Sequence, residues 1–436
     1  MGSIAPEAAT TPIFQTPWIQ TPLVESASLS RAAGCRIFLK LENVQPSGSF
    51  KSRAMGNQIL SHLKNPANAG RPVHFYASSG GNAGLAAVCA ARSLGYPCTV
   101  VLPTSTKPMM VERLRTAGAV SVVQHGETIS EAGEFMKEVL MKVVEEGESE
   151  DVVKIALHPF DNEPIWQGNS TIVDELATQL PTSASAESYH DRPLPLDAII
   201  CSVGGGGLLN GLIMGLERER QKKHLPVSKK DIHLLAIETQ GTDSLAQAMA
   251  QKSHISLSKI TSQAISLGCV RVSEKTFNYA LSPPPGLKVH SAVLSDADAA
   301  RGSLRLVDDE RLLVELACGV CVEAAVGDAG RTRAAAISKK RKRSASDEGY
   351  GDDRSSVENE SDPEEYNHSA SSSFSAGSLP SSVSGEAGLL QSKLKQLVPD
   401  LNSESRVVIV VCGGSNVSVD VAVEWRKMLR EGWGEQ

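Results

Sequence analysis

Short apolar runs without a polar face recur along this chain, each followed by a stretch of helical periodicity, and this alternation constrains the fold more than any other feature. The runs are Ile37 to Leu41, His74 to Ala77, Cys98 to Leu102, Val120 to Gln124, Ala198 to Val203, Leu234 to Ile237 and Val407 to Cys412. A strand apolar throughout is one buried on both faces, as in parallel sheets covered by crossover helices. Helices are expected over Ala83 to Leu94, Pro108 to Ala117, Ile129 to Val144, Gly168 to Leu180 and Leu208 to Lys222, with another opening near Ser52. Gly, Ser or Asn stands at most strand-to-helix junctions, where such residues make tight turns and N-caps. The chain reads as α/β, built from βαβ units.

Composition excludes several function classes. The formal net charge of -7, from 43 Lys+Arg against 50 Asp+Glu, leaves no overall positive field to hold nucleic acid or an anionic membrane. No apolar run approaches the roughly 18 residues that span a bilayer. Eight cysteines in 436 residues are too few for a disulfide scaffold, and Cys201, Cys269 and Cys412 sit among apolar or glycine residues, where buried free thiols are expected. Met1 to Pro22 shows neither a secretory h-region nor an arginine-rich transit pattern. A reducing, cytoplasmic setting follows as the expectation.

Two stretches interrupt the alternation. Pro181 to Pro195 is polar and reads as a surface loop. Residues 327–385 hold a basic run, Lys339 to Arg343, and then an acidic Ser-rich tract with almost no large apolar residue. Such a tract buries too little surface to offset its ordering entropy and is expected to be disordered. Because the Val407 strand lies beyond it, it reads as an insertion within a domain. The basic run matches a weak nuclear-import signal; a solvated loop of compensating charge explains it as well.

Chemistry concentrates at four places. Ser47-Gly48-Ser49-Phe50-Lys51 follows the first strand, and Lys51 taken alone would be an ordinary solvated lysine. Ser78-Ser79-Gly80-Gly81-Asn82-Ala83-Gly84 ends a strand and opens a helix, so its backbone N–H groups and the helix dipole suit a carboxylate. Ser202-Val203-Gly204-Gly205-Gly206-Gly207-Leu208 repeats that junction and can cradle a phosphate without Lys or Arg. It lacks the Gly-Lys-Ser/Thr ending of a P-loop and the spaced glycines of a dinucleotide fingerprint. Cys412-Gly413-Gly414-Ser415-Asn416 puts a thiol at the carboxyl end of a strand, where open α/β sheets bind ligands. A plain glycine turn or a buried cysteine would explain any one of these.

Together, Leu39 to Asn57, Ser78 to Ala86, Ser202 to Gly211 and Val411 to Asn416, in that order, resemble the fold-type-II pyridoxal-phosphate enzymes, and most closely the L-serine dehydratases. The resemblance covers residues 34–326 and 386 to about 425. It implies a tryptophan-synthase-β-like fold of two open twisted sheets flanked by helices. A large domain, 1–45 and 161–436, would carry an inserted small domain, 46–160. It further implies that Lys51 forms the Schiff base, Phe50 packs on the cofactor ring, Asn82 contacts the ring hydroxyl, Gly204, Gly205, Gly206 and Gly207 hold the phosphate, and Cys412 faces the pyridine nitrogen. Ser79, Gly81, Asn82 and Ala83 would take the substrate carboxylate. Glu238, Thr242 and Ser244 match positions that ligate a monovalent cation, K+ in typical members, helped by carbonyls near Leu267 and Cys269; read without the family, Glu238 is a strand-end surface acid.

The chemistry implied is β-elimination of L-serine, and of L-threonine, by a homodimer, with the cofactor phosphate protonating the leaving hydroxyl. A neutral thiol at the ring nitrogen leaves the ring a weaker electron sink than a carboxylate would, which favours elimination over transamination. Threonine dehydratases and serine racemases, the nearest rivals, typically carry Ser where Cys412 stands. The biosynthetic threonine enzymes add a regulatory domain, for which the short stretch after Cys412 leaves no room. A catalytically retired protein acting through its insertion is the remaining alternative. Two departures stand out: Ala54 where the family has Gly, and Leu316 where it has Pro before Ala317-Cys318-Gly319. The Cys318 and Cys321 pair lacks a second Cys/His pair at ligand spacing and reads as helix interior, without zinc.

Overall fold

The computed structural model describes residues 14–143, 151–181, 189–227, 230–327 and 392–434. Its strands are β1 (Leu23–Glu25), β2 (Arg36–Lys40), β3 (Val73–Ala77), β4 (Cys98–Leu102), β5 (Ser121–Gln124), β6 (Val153–Leu157), β7 (Ala198–Ser202), β8 (Ile232–Thr239), β9 (Leu287–Leu294) and β10 (Arg406–Val410). They make two sheets, one ordered β1-β2-β10-β7-β8-β9 and the other β5-β4-β3-β6. All pairings are parallel except β1 with β2. Each apolar run of the sequence became a strand, and β4, β7 and β10 are buried at every residue. Ile37, Leu39, Ile200, Leu235 and Ile409 lie buried in one core, where truncation to Ala costs about 2–5 kcal/mol.

The helices form as their caps dictate. Thr128 caps Ile129–Phe135, Asn162 caps Glu163–Gln179 with Pro in its first turn, and Ser418 caps Val419–Arg430. The Ile129 helix does not run unbroken to Val144: it passes into a π turn over Met136–Leu140. The Gly168 helix begins earlier, at Glu163. Pro181 and residues 189–195 hold neither helix nor strand. Residues 328–391, with Lys339 to Arg343, lie outside the described residues, so the expectation of disorder there is not addressed. The described residues all belong to one compact unit. No helix among the described residues is long and apolar enough to cross a membrane.

A buried ionic cluster anchors the helix Lys51–Leu63. Arg53 donates to Glu42 Oε1 at 2.7 Å and to Glu175 Oε1 at 2.6 Å, while Lys40 Nζ meets Glu175 Oε2 at 2.5 Å. Arg53, Lys40 and Glu42 have no exposure, so removing one partner strands the others' charge at about 3–5 kcal/mol. Arg53 stands two residues after Lys51, so the same cluster fixes where that helix begins.

Candidate active site

Lys51 is the first residue of its helix, and its Nζ donates to the carbonyl of Pro159 at 3.0 Å. Burial lowers its amine from the ordinary lysine value to about 8. The preceding loop is stitched to the end of β10: Phe50 N–H donates to Cys412 O at 3.1 Å, Gly414 N–H to Gly48 O at 2.9 Å, and Ser49 bridges Gly413. Phe50 lies beside the lysine, its ring centroid 5.1 Å from Nζ. The residues from either end of the sequence motif list thus meet because β10 lies next to β2.

Three of the four glycines are required by what surrounds them. A Cβ at Gly205 would come within 2.2 Å of the Phe160 ring, and one at Gly207 within 2.6 Å of the Phe160 carbonyl. Gly206 has φ +89°, the left-handed region, and a Cβ there would reach Thr276 Oγ1 at 1.9 Å. At Gly204 the nearest atom is Leu267 Cα at 3.2 Å. The run leads from β7 into the helix Gly207–Lys222, so its N–H groups gather at a helix N-terminus, a site for an anion. The segment His158 to Phe160 that lines this loop is the same one that accepts the Lys51 hydrogen bond.

The second anion junction also forms. Gly81 is the N-cap of the helix Asn82–Ser93, and no atom lies within 4 Å of where its Cβ would stand. Ser79 Oγ accepts from Gly81 N–H at 3.4 Å, and Ala83 is buried in the first turn. Asn82 is held at both ends: its Oδ1 accepts from Ser415 N–H at 2.9 Å and its Nδ2 donates to Glu315 Oε1 at 3.1 Å.

Cys412 is buried, 3.8 Å from Ser202 Oγ. The Cys318 thiol beside it, together with burial, pushes its own thiol well above the ordinary range, so it stays neutral. Cys201, Cys318 and Cys321 are buried too, and the last two lie inside the helix Leu316–Val326 as the sequence implied. Cys269 corrects the expectation: it is part-exposed in the loop after the turn Ile265–Leu267, its Sγ donating to Arg271 O at 2.9 Å. A loop position without sheet on both sides leaves it accessible.

Glu238, Thr242 and Ser244 lie at the end of β8 and the start of the helix Ser244–Gln251, all without exposure. Glu238 is therefore no surface acid. Its carboxyl oxygens accept from Leu245 and Ala246 N–H, both at 2.8 Å, and burial raises it to about 8. Thr242 Oγ1 donates to Thr239 O at 3.1 Å, and Ser244 Oγ is buried without a partner. Among the described residues no group of three or more His, Cys, Asp or Glu is arranged to hold a metal ion.

Sequence reasoning missed Glu315, Pro159 and Phe160. Glu315 directly precedes Leu316, and an acid opening a helix that is otherwise apolar but for Glu323 is the signal that could have found it. Pro159 acts through its carbonyl, which no side-chain pattern reveals.

A half-buried lysine whose amine pKa is lowered, close to a glycine-walled anion cradle at the carboxyl ends of parallel strands, defines an enzyme that handles a phosphorylated carbonyl cofactor. The chain belongs to the family of pyridoxal-phosphate dependent enzymes, whose model matches residues 15–340. An L-serine dehydratase of Saccharomyces cerevisiae is 40% identical over 306 residues, 70% of this chain and 84% of that one. The L-serine dehydratase/L-threonine deaminase of Mus musculus is 36% identical over 306 residues, covering 70% and 82% of the two chains. The crystal structure of a fungal L-serine ammonia-lyase from Rhizomucor miehei superposes with a TM-score of 0.67 at 27% identity, covering 95% of this chain and 99% of that one.

Proposed function

We propose that this protein is an L-serine ammonia-lyase: L-serine loses water by β-elimination and the resulting enamine takes water back as it hydrolyses, so that the net products are pyruvate and ammonia, and L-threonine gives 2-oxobutanoate and ammonia in the same way. The observation that carries this is the desolvated Lys51 amine on the Pro159 carbonyl, beside the Gly204 to Gly207 cradle. The residues fit pyridoxal 5'-phosphate: side chains at Gly205, Gly206 and Gly207 would collide with Phe160 and Thr276, and a lysine with a lowered pKa suits capture of an aldehyde. When bound, that cofactor supplies an electrophilic carbonyl for the substrate amine and a conjugated ring that withdraws electrons from its α-carbon.

The chain's own residues do the rest. Gly204 to Gly207 would hold the phosphate through backbone N–H groups. Asn82 would offer its remaining N–H to the ring oxygen, and Phe50 would pack against the ring. Cys412, a neutral thiol, would meet the ring nitrogen and give it no anionic partner. The N–H groups around Ser79, Gly81, Asn82 and Ala83 take the substrate carboxylate at the helix N-terminus. Lys51, in its neutral form and aimed by the Pro159 carbonyl, would remove the α-proton. In this reading residues 46–160 form a small domain set on the large one.

A K+ ion at Glu238, Thr242 and Ser244 is part of the proposal. The unpartnered Ser244 hydroxyl and a buried carboxyl are hard oxygen donors suited to such an ion. A cytoplasmic homodimer completes it, checked by light scattering and cell fractionation. The decisive assay incubates purified protein with pyridoxal phosphate and L-serine and measures pyruvate, ammonia and D-serine. Pyruvate and ammonia in equal amounts are expected; D-serine as the main product would make the protein a racemase instead.

A further inference from the structure

Glu315 stands directly before the helix Leu316–Val326 and is buried. Its Oε1 accepts from Asn82 Nδ2 at 3.1 Å, from Asn416 N–H at 2.7 Å and from Asn416 Nδ2 at 3.2 Å. Its Oε2 accepts from Ser266 Oγ. A Cβ on Gly414 would come within 2.2 Å of its carboxyl carbon, so the turn after β10 is shaped around this side chain. All these partners donate, and an ionised carboxylate has lone pairs for each and no proton to misplace. One carboxylate thereby joins the start of the Asn82 helix, the loop at Ser266 and the turn that follows Cys412.

The consequence falls on Asn82. Its Oδ1 is taken by Ser415 N–H and one Nδ2 hydrogen by Glu315, which settles the orientation of the amide and leaves one N–H to give. On the reading that pyridoxal phosphate lies against Asn82, we propose that Glu315 is a positioning residue that aims this last N–H at the cofactor's ring oxygen, acting through Asn82 and not on the substrate. Without the carboxylate the amide can turn or give its hydrogens to water. The donor is then present but no longer oriented.

A double-mutant cycle in the holoenzyme tests this. Glu315→Ala, Asn82→Ala and the pair are each measured for cofactor dissociation constant, absorbance band of the bound cofactor and serine turnover. Each single variant is expected to weaken cofactor binding about tenfold, the worth of one hydrogen bond, and to shift the band. The pair should be within about twofold of Asn82→Ala alone, since a group acting only through Asn82 costs little once Asn82 is gone. Glu315→Gln keeps the acceptor for Asn82 and Asn416 and turns its new amide N–H to Ser266, whose hydroxyl also accepts. It is expected to restore the wild-type band and affinity.

If the losses multiply in the pair, or if Glu315→Ala lowers turnover with band and affinity unchanged, Glu315 is only a scaffold and the proposal is wrong. Should Glu315→Ala not fold, Glu315→Asp, whose shorter carboxylate withdraws from Asn82 but stays charged, carries the same cycle. A wild-type protein that binds no pyridoxal phosphate overturns the functional reading and this proposal together. Multiplying losses in a protein that binds it and consumes serine overturn this proposal alone.

Discussion

Lys51 places a cation at the positive end of a helix and then takes water away from it, two effects that both favour the neutral amine. With its pKa at about 8, about a tenth of the amine is neutral at pH 7, against less than about a thousandth for an ordinary lysine. The rate at which the cofactor-free protein captures pyridoxal phosphate should therefore climb with pH and level off above about 8. Stopped-flow absorbance reads this directly, and a midpoint near 10 would mean the amine is solvated. Lys51→Ala should abolish the visible band and lower serine turnover at least about 10³-fold, as it removes both anchor and base; a variant keeping a tenth of wild-type turnover contradicts the assignment. Cys412→Asp should protonate the ring nitrogen and divert substrate toward transamination or racemisation, visible as a changed ratio of pyruvate to D-serine. Lys51, the glycine run and Cys412 were legible because each lies in a local motif. Glu315 was not, since its partner Asn82 lies 233 positions away and nothing near either residue announces the other.

Strands buried on both faces were legible as elements, and the three that escaped share a reason. β1 has three residues at a sheet edge, and β6 and β9 carry intermediate or exposed positions that break the apolar run. Edge strands show half a pattern. The π turn after Phe135 escaped because helical periodicity continues through it. At the junction of β8 and the helix Ser244–Gln251, the buried Glu238 carboxyl caps the helix while Ser244 Oγ has no partner. A monovalent ion there should order the turn, so serine turnover in K+ should exceed that in Na+ or a bulky organic cation at equal ionic strength. Equal rates in all three would remove the cation from the reading.

For the whole molecule, the two sides of the insertion return to one core: Cys318 to Ala325 pack in the same cluster as Leu394, Val398 and Leu401. Replacing residues 332–384 by Gly/Ser linkers of several lengths should therefore leave cofactor binding and turnover within about twofold, because closure entropy changes slowly with length. If every length folds and binds cofactor yet loses turnover, the segment contributes to the site. Composition alone suggested where residues 327–385 interrupt the alternation. The place of the strand beyond it could not, since its periodicity says that it is buried and not between which neighbours.

That place sets an order of events during synthesis. β10 lies between β2 and β7, so a ribosome that has made every residue up to 400 has made a sheet with its middle missing. Until β10 emerges, β2 and β7 present open edges, which invite pairing with other chains. The loop before Lys51 also lacks the backbone partners that β10 and its turn provide. Nascent chains halted before Arg406 are expected to leave pyridoxal phosphate unbound and to lean on chaperones, and cofactor capture becomes the signal that β10 has been made and has taken its place in the sheet.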